Sequence, residues 1–80
     1  MHYVYILQSL HKPDQFYTGL CSDLRARLDA HNAGQSPHTA KHKPWRLLSY
    51  HGFPEREKAA AFERYLKTGS GRAFAAKHFR

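Results

Sequence analysis

The sequence has a single cysteine, Cys21, so no intramolecular disulfide can hold its 80 residues together. Acids are also scarce: Asp14, Asp23, Asp29, Glu55, Glu57 and Glu63 stand against 13 Lys and Arg, for a net charge of +7. A glycosidase-type carboxylate pair or a carboxylate-rich two-metal centre would have to be drawn from those six. No apolar run approaches the roughly 20 residues of a membrane span, and Met1-His2-Tyr3 leads into strand-like sequence rather than a signal peptide. The expectation is a cytoplasmic chain that starts at its first residue and has no membrane partner. Repeats, low-complexity stretches and long linkers are lacking too, so residues 1–80 read as one domain.

What is present reads as alternating strands and helices. Tyr3-Val4-Tyr5-Ile6-Leu7 is β-branched and aromatic, with Tyr3 and Tyr5 on one face and Val4 and Ile6 on the other. A polar turn containing Pro13 leads to a second strand, Gln15 to Gly19, and the two make a hairpin. Ser22 reads as the N-cap of a helix carrying Leu24, Leu28 and His31 at helical spacing, with Gly34 after its end. Arg27 and His31, four apart, stand one turn above the other at the border of the apolar stripe. Gln35 to Pro44 reads as a basic loop and Trp45 to His51 as a third strand ended by Gly52. Pro54 fits the first turn of a second helix, packed through Ala59, Phe62 and Leu66, and a last helix runs from Arg72 to His78. The fold class is α+β, a three-stranded antiparallel sheet flanked by helices in the order β-β-α-β-α-α.

This layout accounts for five of the six acids. Asp14 belongs to a turn, Asp23, Glu55 and Glu57 favour helix starts, and Asp29 lies on a solvated side. Glu63 is left at the edge of an apolar face.

The ordered set Tyr3-Val4-Tyr5, Phe16-Tyr17-Thr18-Gly19, Arg27, His31, Thr39-Ala40-Lys41, Pro44-Trp45-Arg46-Leu47-Leu48 and Glu63 resembles the GIY-YIG nuclease domain. The His31-Asn32 pair is similar to the structure-specific junction and flap branch and its short bacterial relatives. The resemblance implies a catalytic role for Tyr5, Tyr17, Arg27, His31 and Glu63, with Glu63 as the ligand of a single Mg²⁺ or Mn²⁺. It implies hydrolysis of DNA phosphodiesters, leaving 5′-phosphate and 3′-hydroxyl ends, at branched or damaged DNA; RNA stays open as a substrate. The sequence departs from the family at Tyr3, where the name-giving glycine stands, at Leu20, where many members have Lys, and in lacking an Asn after Glu63.

Elementary chemistry fits those assignments. Phosphodiester hydrolysis needs an activated water, positive charge at the phosphoryl oxygens and a Lewis acid. Arg27 supplies a permanent fork for phosphate, Glu63 a carboxylate for one metal, and Tyr5, Tyr17 and His31 are three candidate bases among which the sequence does not choose. Gly19 lets backbone approach a phosphate or a neighbouring strand, and Arg25, Lys41, Lys43, Lys67 and Arg72 are candidate phosphate contacts, with Lys77 and Arg80 extending the same footprint. Each residue also has an ordinary role: tyrosines pack, Arg27 is solvated, His31 is half-buried, and Glu63 pairs with Lys67 one turn on. His38 and His42 have H-x-x-x-H spacing, but the Glu of a zincin motif is missing and flanking prolines favour a loop. Two other functions compete with a nuclease: a nucleic-acid binding module of the same fold without turnover, and a basic protein-interaction domain. A protein partner or a second copy of the chain would supply specificity in so small a domain.

Overall fold

The computed structural model describes residues 1–80. Its strands are β1 (His2–Ser9), β2 (Phe16–Cys21) and β3 (Trp45–Phe53), and its helices α1 (Leu24–Asn32), α2 (Pro37–Ala40), α3 (Arg56–Leu66) and α4 (Gly69–His78). The sheet is antiparallel in the order β2-β1-β3, so the most apolar strand lies in the middle. The expected α+β architecture is present, with α2 as one additional turn of helix inside the basic segment.

Alternation along β1 builds two cores. Val4 and Ile6 are buried against Ala59 and Leu66 of α3 and Ala75 of α4. Tyr5 and Leu7 point to the opposite face and pack with Trp45, joined by Leu24 and Leu28 of α1. The sheet is thus covered on both faces. Between β1 and β3 the register slips, from Ile6 opposite Ser49 to Leu7 opposite Leu47, leaving Leu48 as the extra residue. That bulge sends Leu48 into the first core and Leu47 into the second.

The ends of α1, α3 and α4 differ from expectation, and at α1 and α4 a side chain caps a free backbone amide. Asp23, rather than Ser22, caps α1, its carboxylate accepting from the Ala26 amide at 3.0 Å. Glu55 is the first flanking residue of α3, so Pro54 precedes the helix instead of lying in its first turn. Thr68 accepts from the Gly71 amide at 3.1 Å, and α4 begins at Gly69, three residues earlier than the composition of Gly69-Ser70-Gly71 suggests. Gly71 is required by packing: a Cβ there would overlap the Tyr65 carbonyl at the end of α3. All three strands run longer than expected, β3 through Gly52 to Phe53.

Candidate active site

Three of the five expected catalytic residues are in ring contact. The His31 ring lies 4.9 Å from that of Tyr17 and 6.0 Å from that of Tyr5, and the two tyrosine rings are 6.3 Å apart. Hairpin register explains part of this. Tyr5 stands opposite Gly19 and Tyr17 opposite Leu7, so both tyrosines rise from the same face of neighbouring strands. The Tyr5 ring leans over Gly19, where a Cβ would overlap the phenol. Gly19 is itself buried, and the close approach it permits is that of Tyr5.

A buried hydrogen-bond chain fixes His31. Its Nε2 is 3.0 Å from the Tyr5 hydroxyl and its Nδ1 is 2.8 Å from Thr39 Oγ1. Thr39 in turn reaches the Ser36 carbonyl at 3.4 Å. A threonine hydroxyl has one proton, so donation to that carbonyl leaves Oγ1 to accept from Nδ1–H. The tautomer assigned by this network leaves Nε2 unprotonated, accepting from Tyr5. Tyr5 is 3% and His31 2% exposed, whereas Tyr17 is half-buried and lines an open cleft. Burial, then the neighbouring Tyr17, push the Tyr5 phenol well above its ordinary range, against a pull from Arg27. Burial, with Arg27 adding to it, lowers the His31 imidazole below 6.5. At neutral pH the pair is therefore an uncharged phenol and an uncharged imidazole.

Arg27 and Glu63 approach this cluster from opposite elements. Arg27 is exposed on α1, and its charge acts on Tyr5, Cys21 and His31. It lines a cleft of about 190 Å³ with Cys21, Ser22, Asp23, Ala26 and Ala30. Glu63, on α3, is near enough for its charge to act on the Tyr5 phenol. Its Oε2 is 3.3 Å from Lys67 Nζ, and this carboxylate is 22% exposed. No group of three or more His, Cys, Asp or Glu is arranged to hold a metal. Mg²⁺ is commonly bound through one or two carboxylates, with waters and phosphate oxygens completing the shell. Glu63 fits that mode; His38 and His42 have no third ligand to form a zinc site.

The candidate phosphate contacts divide into groups. Lys67 and Arg72 line a cleft of about 440 Å³ together with Tyr17 and Arg80. Lys41 and Lys43 are exposed between α2 and β3, and Arg25 lies on α1 outside both clefts. Cys21 is half-buried and its thiol is raised by burial, which leaves it a weak nucleophile at neutral pH.

Two supporting residues, Thr39 and Asn32, have roles that residue type and spacing did not reveal. Thr39 orients His31, and its carbonyl accepts from Trp45 Nε1 at 2.8 Å. Asn32 clamps Trp45 from both sides, accepting from its amide at 2.6 Å and donating to its carbonyl at 3.1 Å. These bonds tie α1 and α2 to the start of β3. The signal present in the sequence was only the adjacency of Asn32 to His31 and the Thr39-Ala40-Lys41 run.

A three-stranded sheet with paired tyrosines on its first two strands, an Arg and a His on the following helix and a Glu on a later one defines a class, and the chain matches the GIY-YIG catalytic domain over residues 1–76. It belongs to the GIY-YIG family. Among relatives, it is 36% identical over 67 residues to the UPF0213 protein BH0048 of Halalkalibacterium halodurans, covering 82% of this chain and 69% of that protein. It is 39% identical over 71 residues to the structure-specific endonuclease subunit SLX1 of Candida dubliniensis, covering 80% of this chain but 25% of that one. The solution NMR structure of the UPF0213 protein BH0048 from Bacillus halodurans superposes with a TM-score of 0.56 at 29% identity, over 95% of this chain and 82% of the other.

Proposed function

We propose that this domain is a divalent-metal-dependent endonuclease that hydrolyses DNA phosphodiester bonds, leaving 5′-phosphate and 3′-hydroxyl ends. The observation that carries the reading is the Tyr5–His31–Thr39 hydrogen-bond chain, with Tyr17 against His31 and charges of opposite sign, Arg27 and Glu63, within reach. A buried phenol and a buried neutral imidazole are costly unless partnered, and here each partners the other.

Tyr17, half-buried and among the residues that line the open cleft, is the phenol we assign to the attacking water, because Tyr5 is committed to His31. Tyr17 orients the attacking water. The proton released in hydrolysis passes by way of the phenols to His31 Nε2, and the resulting imidazolium keeps its Nδ1–H bond to Thr39. The water oxygen bonds to phosphorus as the bond from phosphorus to the 3′-oxygen breaks, and the 3′-oxygen takes a proton from solvent to leave as a hydroxyl. Arg27 places its fork on the phosphoryl oxygens that gain charge. Glu63 is the residue that would hold a divalent ion, which would supply Lewis-acid stabilisation of the developing negative charge. Lys67, paired with Glu63 in this structure, would then be free for a neighbouring phosphate.

Branched DNA is the proposed substrate, supported by the similarity to SLX1, a structure-specific endonuclease subunit. That relative's description as a subunit supports a protein partner for this domain as well. The test is incubation of the purified protein with flapped, branched and plain duplex DNA, with Mg²⁺, with Mn²⁺ and with chelator. Metal-dependent products bearing 5′-phosphates support the reading. Salt-sensitive binding with no product under any condition would favour a binding module instead.

A further inference from the structure

The larger cleft lies between the start of β2 and the ends of α3 and α4, lined by Asp14, Gln15, Phe16, Tyr17, Thr18, Leu66, Lys67, Arg72 and Arg80. Its size, about 440 Å³, is within the ordinary range of small-ligand sites, roughly 300–1,000 Å³. Three of its side chains are cations and one is an acid. The two ion pairs of the domain are Lys58 with Glu55 and Lys67 with Glu63, so Arg72 and Arg80 have no carboxylate within 4.0 Å. Two guanidiniums without a carboxylate partner, with Asp14 the one acid in the lining, leave the hollow net positive, and a polyanion neutralises it.

Phe16 adds what a purely electrostatic site would not need. It lines the cleft half-buried, and the Arg80 guanidinium lies over its ring, 4.1 Å from the centroid. A flat cation on an aromatic face occupies the place where a nucleobase stacks, and an arginine can then cover the base from the other side. A base inside a duplex has both faces taken by its neighbours, so a ring of this kind is accessible only to an unstacked nucleotide. Tyr17, which packs on His31, and Lys67, which pairs with Glu63, are both among the residues lining this cleft, so the hollow adjoins the candidate active site.

We infer that this cleft is a subsite for an unpaired nucleotide flanking the scissile phosphate, the base stacked between Phe16 and Arg80 and the adjoining phosphates held by Lys67 and Arg72. The inference rests on the nuclease reading for its place beside the scissile bond, but the subsite itself is measurable without cleavage. It makes Phe16 and Arg80 residues that select single-stranded over paired DNA.

The experiment is fluorescence anisotropy in chelator, with the full chain and two labelled probes of equal length: oligothymidylate and an abasic strand carrying the same phosphates. The expected result is tighter binding of oligothymidylate by about ten-fold, the scale of one base stacked on an aromatic ring. Phe16→Leu, which keeps an apolar group against the core, removes that difference while leaving affinity for the abasic strand unchanged. Arg72→Gln weakens both probes alike, and Arg80→Gln weakens oligothymidylate more than the abasic strand. Should Phe16→Leu fail to fold, the Arg80→Gln comparison decides. Equal binding of the two probes by the unaltered protein, or a base preference that survives both Phe16→Leu and Arg80→Gln, would overturn the inference. A protein that never cleaves DNA yet passes this test would contradict the nuclease reading and leave the subsite standing.

Discussion

Tyr5 and Tyr17 have the same side chain in different surroundings, and the difference sets what each can do. Tyr5 is held between His31 and Gly19, while Tyr17 borders the larger cleft. Replacing Tyr17 by Phe removes the group that orients water, and cleavage is expected to fall by about 10²–10⁴-fold with little change in fold. Full activity of Tyr17→Phe would contradict the assignment. His31 must be neutral to receive a proton, and burial lowers its titration from the ordinary value. The acid limb of the cleavage profile should therefore lie below that of a free imidazole, a limb that His31→Gln abolishes together with most activity. Gly19→Ala puts a methyl into the Tyr5 phenol, so the ring must move and both melting temperature and cleavage should decline. Residue types and spacing made Tyr5, Tyr17, Arg27, His31 and Glu63 legible as a set. They did not make Thr39 legible as the partner of His31, because that bond depends on how residues 36–44 fold back, which Pro and Lys content does not determine.

At the level of elements, the domain depends on joints between helices and strands more than on the helices themselves. Asn32, at the end of α1, makes two bonds to the backbone of Trp45 at the start of β3. Asn32→Ala leaves an amide and a carbonyl unsatisfied in a part-buried place, at a cost of about 1–3 kcal/mol, and His31 loses its fixed position with the helix end. Chemical denaturation should show that loss, and a change below about 0.5 kcal/mol would mean the clamp is incidental. Strand and helix identity was readable from β-branched runs and from the spacing of Leu24, Leu28 and His31. Element ends were less so. Asp23 and Ser22 are equally good capping types, and the choice is made by geometry around the Ala26 amide. Gly69-Ser70-Gly71 has loop composition, yet tight packing of α4 on the Tyr65 carbonyl overrides propensity.

For the molecule as a whole, charge and protonation set the working conditions. His51, on the α3 and α4 side of the sheet, packs 5.4 Å from the Phe62 ring and 4.6 Å from that of Phe79, and its Nε2 has no hydrogen-bond partner. Burial lowers its titration below 6.5, as it does for His31. In the window between the lowered folded value and 6.5 the unfolded chain binds more protons than the folded one, so stability falls as pH falls. Each group contributes a slope of at most about 1.4 kcal/mol per pH unit there. Melting temperature should accordingly decline from pH 7 to pH 5, and His51→Phe should shallow that decline; an unchanged decline would remove His51 from it.

Part of the basic excess gathers on one cleft, as Lys67, Arg72 and Arg80, beside the single carboxylate of the candidate centre. The measurement closest to that arrangement is the cleavage of one flapped DNA in Mg²⁺ by the unaltered domain and by Glu63→Gln, with the affinity of both proteins for the DNA determined in parallel. The expected result is cleavage by the first, a loss of at least about 10²-fold by the second, and binding by both within a few-fold. Equal cleavage rates in the two proteins would contradict the role given to Glu63 and, with it, the single-metal chemistry.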